Sequence, residues 1–195
     1  MSHNPTKGRV ICTSKGHWAG PDNVAPTVEE AAIALGKICR YAGHSKIFYS
    51  VLIHSFVVDD LTNDIRAKLI SLTHDCSECI TSDIPTPFKV AAMRELEDRV
   101  YSRILKDWEI PYPEKYIWTE VHAADYEALL GEVWTNGPPG LRELKQFQKR
   151  SRRAEKLVRM YEKKYPPSDT IKSNGRAVKE FISRFKKYKS QLEGV

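Results

Sequence analysis

The chain has 195 residues, 41% of them hydrophobic and 29% charged, with a formal net charge of +6. These proportions describe a soluble globular chain of one domain, or one domain with an extension, able to bury a core without disulfides or a structural metal. They exclude a membrane-spanning protein, because no apolar run is long enough to cross a bilayer. The first ten residues, "MSHNPTKGRV", lack the apolar stretch of a secretory signal, and Cys12, Cys39, Cys76 and Cys79 then read as reduced thiols. A cytoplasmic location is expected. The positive charge is uneven. Residues 142–190 hold "KQFQKRSRRAEK", "EKKY" and "RFKKYK", whereas residues 51–83 are net acidic, and the two regions ask for separate explanations.

Apolar residues recur mostly at spacings of three and four, which predicts an all-α fold. A short strand is plausible only in "GRVICTSKGHW", residues 8–18. Residues 25–44 read as a helix opened by a Thr27–Glu30 capping box and stopped at Gly43. Residues 49–62 form a second helix with Val51, His54, Val58 and Leu61 on one stripe. Asp64 caps a third, which is expected to run unbroken to about Thr81. Thr86-Pro87 opens a fourth, reaching about Trp108, and residues 115–134 form a fifth, ended by "NGPPG". Two basic helices follow, from about Leu141 to Tyr165 and from about Asn174 to Leu192, separated by Pro166-Pro167. The expected organisation is a domain over residues 1–140 and a basic helical extension, residues 141–195, packed on it.

On the third helix Ser71, His74, Asp75 and Glu78 share one stripe beside apolar Ile65, Leu69, Leu72, Cys76 and Cys79. A carboxylate there is too costly to keep charged without a cation, and a metal ion is an economical one. His54, on the apolar stripe of the second helix, and Asp125, among Val121, Ala124, Ala128 and Leu129, are the partners the other helices can offer. Each alone reads more simply as a hydrogen-bonded core residue. Together, two histidines and two carboxylates from three helices make a mixed nitrogen and oxygen shell suited to Zn, Mn, Co or Fe.

The runs "SVLIHS", "LTHDCSECITSDIPTPFK" and "HAAD" resemble the HD-domain metal-dependent phosphohydrolases, over roughly residues 8–135. The closest look-alikes are the 5'-deoxynucleotidases and a phage group that removes triphosphate from dATP; "ICRYAGHSKIFYSVLIHS" is similar to a subgroup frequent in phage. The resemblance implies an HD-domain helical bundle and places the metal ligands at His54, His74, Asp75 and Asp125. It places the catalytic carboxylate at Glu78 and a second acidic residue of the site at Asp83. Two departures from the family pattern are Ile53, where a glutamate is usual, and a short segment between His54 and His74. His44 is the alternative ligand, or a phosphate contact.

The implied reaction is divalent-metal-dependent hydrolysis at the alpha phosphate of a deoxynucleotide, in the host cytoplasm if the chain is phage-encoded. Zn, Mn or Co is expected, with Mg or Fe as further options. A dNTP, dATP first, is the expected substrate, and a deoxynucleoside and triphosphate the products; a 5'-deoxynucleotidase acting on dNMPs is the alternative. Candidate phosphate contacts are Arg40, His44, Lys46 and Lys89, with Arg9 as a weaker one. Trp18 is a candidate to stack on the base. A second alternative is a nucleic-acid-binding or scaffold protein on an inactive HD fold. Against it, the aromatic residues of the basic helices have the spacing of a packing face. No membrane partner and no nucleic acid are expected, and a homo-oligomer is. Cys76-x-x-Cys79 lies within the HD segment and lacks a second pair, so it reads as core and not as a redox or zinc motif.

Overall fold

A computed structural model describes residues 10–194 of the chain. It is mostly helical, as the spacing predicts. The strand signal near the start becomes a two-stranded hairpin, β1 (Ile11–Cys12) and β2 (Trp18–Ala19). Helix α1 (Val28–Leu35) is opened by the capping box: the Thr27 hydroxyl accepts from Glu30 N–H, and Glu30 accepts from Thr27 N–H. It stops at Gly36, not at Gly43. A Cβ on Gly36 would lie 1.8 Å from Asn174 Oδ1, so the C-terminal part of the chain closes over this point. Residues 40–43 form a short 3-10 turn instead.

Helix α2 (Val51–Leu61), capped by Ser50, is the centre of the molecule. All its residues except Asp60 are buried, as expected for a helix that is packed on every side. Helices α3 (Ile65–Thr73) and α6 (Lys115–Thr135) flank it. Asp64 caps α3 by accepting from Arg66 and Ala67 N–H groups. The helix expected over residues 64–81 does not run through. It ends at Thr73, residues 74–77 form tight turns, and a short α4 (Glu78–Thr81) follows. The break falls on the His74-Asp75 pair and so aims the two side chains independently.

Thr86-Pro87 opens only a 3-10 turn, and α5 (Ala91–Asp107) begins later than its sequence signal. Beyond α6, residues 139–147 form 3-10 turns, α7 (Arg152–Lys164) starts at the Ser151 cap, and α8 (Thr170–Glu193) follows Pro166-Pro167. Helices α7 and α8 pack on α1, α2, α3 and α6. Ala154, Val158, Phe181 and Phe185 belong to the same core cluster as Leu52, Leu72, Ile104 and Val121. Gly131 lets α7 approach α6 closely, since a Cβ there would meet the Cβ of Ala154 at 2.6 Å. No described helix is long and apolar enough to cross a membrane.

The acidic middle and the basic tail, for which the sequence suggested separate explanations, partly explain each other. Arg184 on α8 reaches Asp59 at 2.6 Å and Asp60 at 2.8 Å on α2. Arg153 on α7 donates to the Asp60 carbonyl at 3.1 Å.

A candidate metal centre

His54, His74 and Asp125 each present a ligand atom, and these atoms lie within 4.8 Å of one another. Three different segments deliver them: the middle of α2, the turn after α3, and α6. Asp125 Oδ1 is 3.0 Å from His54 Nε2 and 3.9 Å from His74 Nε2. Asp75 joins from the side, with Oδ2 3.6 Å from His54 Nε2 and 3.3 Å from His74 Nε2. The two imidazole rings are 5.3 Å apart, centre to centre.

The orientation of the rings tests whether this group suits a metal. His74 Nδ1 lies 2.7 Å from the Ser71 carbonyl oxygen, which can only accept, so Nδ1 carries a proton. His54 Nδ1 lies 2.6 Å from Glu132 Oε1. Each ring is thereby turned so that Nε2 points to the shared centre, and neither Nε2 makes a hydrogen bond although both are buried. Locking one imidazole nitrogen on a carboxylate or carbonyl so that the other is offered to a cation is the usual construction of a histidine metal site. Two orphaned nitrogens and two carboxylates fit a borderline divalent ion.

Electrostatics agree. Burial and Arg40 push the His54 pKa down, but Glu132 and Asp125 outweigh them and raise it to about 10. Burial would raise Asp125, yet His54 and His74 hold it below the usual carboxylate range. Asp125 leaves 42% of its side chain exposed, so the centre opens to solvent on the α6 side.

Glu78 begins α4 and is 5% exposed. One of its oxygens has no hydrogen-bond partner, and the other is 3.7 Å from Lys89 Nζ. Burial, reinforced by Asp75 and Asp83, pushes its carboxyl well up. Asp83 is raised as well, by burial first, with Asp75 adding and Arg40 opposing. Ser82, just after α4, has a φ of 66°, an uncommon conformation for a non-glycine residue, which turns the chain back toward the site.

The sequence-derived phosphate contacts divide into two groups. Arg40 lies at the centre, its Nη1 3.6 Å from Asp75 and its Nε 3.1 Å from Glu132. Lys89 lies beside Glu78 but is bound to Glu97 at 2.9 Å. His44 is exposed in the loop before α2, and Lys46 Nζ is 3.4 Å from the Thr135 carbonyl; neither is drawn into the centre. Trp18 is 37% exposed in the hairpin, and its carbonyl accepts from Asn23 in the turn that follows. Arg9 lies outside the described residues.

Sequence reasoning missed Glu132. It is fully buried, and its second oxygen accepts from Arg40 Nε at 3.1 Å and Tyr41 Oη at 2.9 Å. Arg40 and His54 overcome its burial and take its pKa down to about 2. A signal existed: Glu132 lies seven residues after Asp125, two turns on along the same helix face.

No family model matches the chain. It is similar to the uncharacterized protein YfdR of Escherichia coli (strain K12), with 31% identity over 86 residues, a stretch covering 43% of this chain and 48% of YfdR. The chain thus spans about half the length of that relative.

Proposed function

We propose that the protein is an HD-type metal-dependent phosphohydrolase that cleaves deoxynucleotides at the alpha phosphate. A dNTP, with dATP first, is its expected substrate. The observation that carries this reading is the pair of buried, unsatisfied Nε2 atoms on His54 and His74, facing Asp75 and Asp125. His54, His74, Asp75 and Asp125 would hold a Zn, Mn or Co ion. A bound divalent ion supplies Lewis-acid polarisation of a phosphoryl oxygen and acidifies water.

The chain's own groups complete the chemistry. Water attacks the alpha phosphorus, and the bond from phosphorus to the 5' oxygen breaks. That oxygen leaves as an alcohol and needs a proton, which balances the one the attacking water gives up. Glu78, whose carboxyl burial pushes up, is the proposed donor. The Arg40 guanidinium, beside Asp75, meets negative charge on the phosphate, and Lys89 lies 3.7 Å from Glu78. Asp83 adds to the negative field that keeps Glu78 protonated.

A second reading, a 5'-deoxynucleotidase, is favoured by one finding. Arg40 and Lys89 are already engaged by Glu132 and Glu97, and His44 and Lys46 stand away from the centre, which leaves less cationic charge for a triphosphate tail. The two readings break the same bond and differ in product. Protein supplied with Mn, Co, Zn or Mg is incubated with dNTPs and dNMPs, and the products are separated by chromatography. Deoxyadenosine with triphosphate from dATP supports the first reading. Phosphate from dAMP with dATP untouched supports the second. No release from any deoxynucleotide with any of these metals overturns both.

A further inference from the structure

Helix α6 presents a carboxylate to each side of a single imidazole. Asp125 Oδ1 approaches His54 Nε2 at 3.0 Å, and Glu132 Oε1, two turns later, approaches His54 Nδ1 at 2.6 Å. The other oxygen of Glu132 takes Arg40 and Tyr41. We propose that Glu132 is a positioning residue that sets two features of the site together: which His54 nitrogen faces the metal, and where Arg40 stands beside Asp75. This rests on the metal-centre reading above and extends it to a residue outside the ligand set.

The local backbone supports the assignment. Arg40 and Tyr41 are consecutive residues of the turn at 40–43. Both meet on one carboxylate oxygen. In that turn Tyr41 and Ala42 adopt left-handed conformations, with φ of 58° and 49°. Tyrosine and alanine rarely take that conformation, and such residues persist where surrounding contacts over-determine them. Two backbone bonds pin the start of the loop, Arg40 N–H to the Tyr49 carbonyl at 2.9 Å and Val51 N–H to the Ile38 carbonyl at 3.1 Å. Lys46 N–H to the Asn136 carbonyl at 2.8 Å ties its far side to the end of α6, and between them Arg40 and the Tyr41 hydroxyl bind Glu132.

A carboxylate that only satisfied its own burial would not govern metal affinity, and this separates the two roles. In Glu132→Gln the amide oxygen can still accept from His54 Nδ1–H. Its NH2 group then faces Arg40 and Tyr41, which are donors themselves. In Glu132→Ala all three contacts disappear. The apo forms of the wild type and both variants, shown folded by circular dichroism, are titrated with Co(II) and followed by visible absorption and calorimetry. Weakening by about 10–100-fold is expected for Glu132→Ala, the range known for groups that orient metal-binding histidines, with a smaller loss for Glu132→Gln. A second measurement needs no variant: nitrogen-15 spectra of the Zn(II)-loaded wild type should show His54 protonated at Nδ1. Wild-type protein that binds no Co(II) overturns the metal-centre reading itself. Wild-type binding with both folded variants within twofold of it overturns only the role of Glu132. So does His54 protonated at Nε2, whether or not the variants fold.

Discussion

Replacing Arg184 with methionine should destabilise the protein by about 3–5 kcal/mol, the range for removing one partner of a buried ion pair. Arg184 on α8 reaches Asp59 at 2.6 Å, Asp60 at 2.8 Å and Glu180 at 2.7 Å, and it donates to Tyr161 Oη at 2.6 Å. Asp59 is fully buried, so losing Arg184 strands a carboxylate that retains only the Tyr188 hydroxyl at 2.8 Å and Lys68 at 3.6 Å. Methionine keeps most of the apolar stem but removes the guanidinium that lies over Phe56, 5.0 Å from the ring centre, so the loss includes that cation–π contact as well as the ion pairs. For a chain of this size about 2–4 °C accompanies each kcal/mol, giving a melting point lower by roughly 6–20 °C. Urea denaturation and thermal scans of the wild type, Arg184→Met, and Asp59→Asn combined with Arg184→Met would measure it. The double variant should recover part of the loss because its stranded charge is gone. A single-variant loss below about 1 kcal/mol, or a double variant no better than the single one, would refute the reasoning.

Three further outcomes are expected. Glu78→Ala should stay folded and keep its metal while turnover falls by about 10²–10⁴-fold, the usual effect of a general acid or base; near-normal turnover with metal bound would make Glu78 structural. Asp75→Ala and Asp125→Ala should both lose metal occupancy by elemental analysis, and full occupancy in both would remove the carboxylates from the ligand set. Acid stability should depend on Glu30. Burial alone would raise its carboxyl, but bonds from Thr13, from Thr27 and from His17 bring it down to about 2. Because that value lies below the ordinary 4.5, its stabilisation is complete above pH 4.5 and is lost as pH falls toward 2. Denaturation across that window should fall more steeply for the wild type than for Glu30→Gln, and equal slopes would contradict it.

The helical class, the Thr27 capping box, the Asp64 cap and the convergence of His54, His74, Asp75 and Asp125 were legible because each leaves a short-range pattern. Caps depend on residues three apart, and a polar residue on an apolar stripe is visible within one helix. Three features were not legible. The break after Thr73 has no proline or glycine to announce it. Helix α1 ends at Gly36 and not at Gly43, and what packs on that glycine is Asn174, far along the chain. Glu132 looked like an ordinary helix glutamate because its partners, Arg40, Tyr41 and His54, lie about eighty to ninety residues away and meet it only in the folded chain. The separate reading of the acidic and basic regions failed for the same reason, since Asp59 and Arg184 meet only across the α2–α8 contact.

The most direct test of the metal centre is the metal content of the purified protein, before and after chelation and reloading with Zn, Mn or Co. One ion per chain is predicted, lost on chelation and restored on reloading, with His54 and His74 bound through Nε2 and Asp75 and Asp125 completing the shell. Protein that takes up no divalent ion stoichiometrically, while remaining folded, would contradict the account.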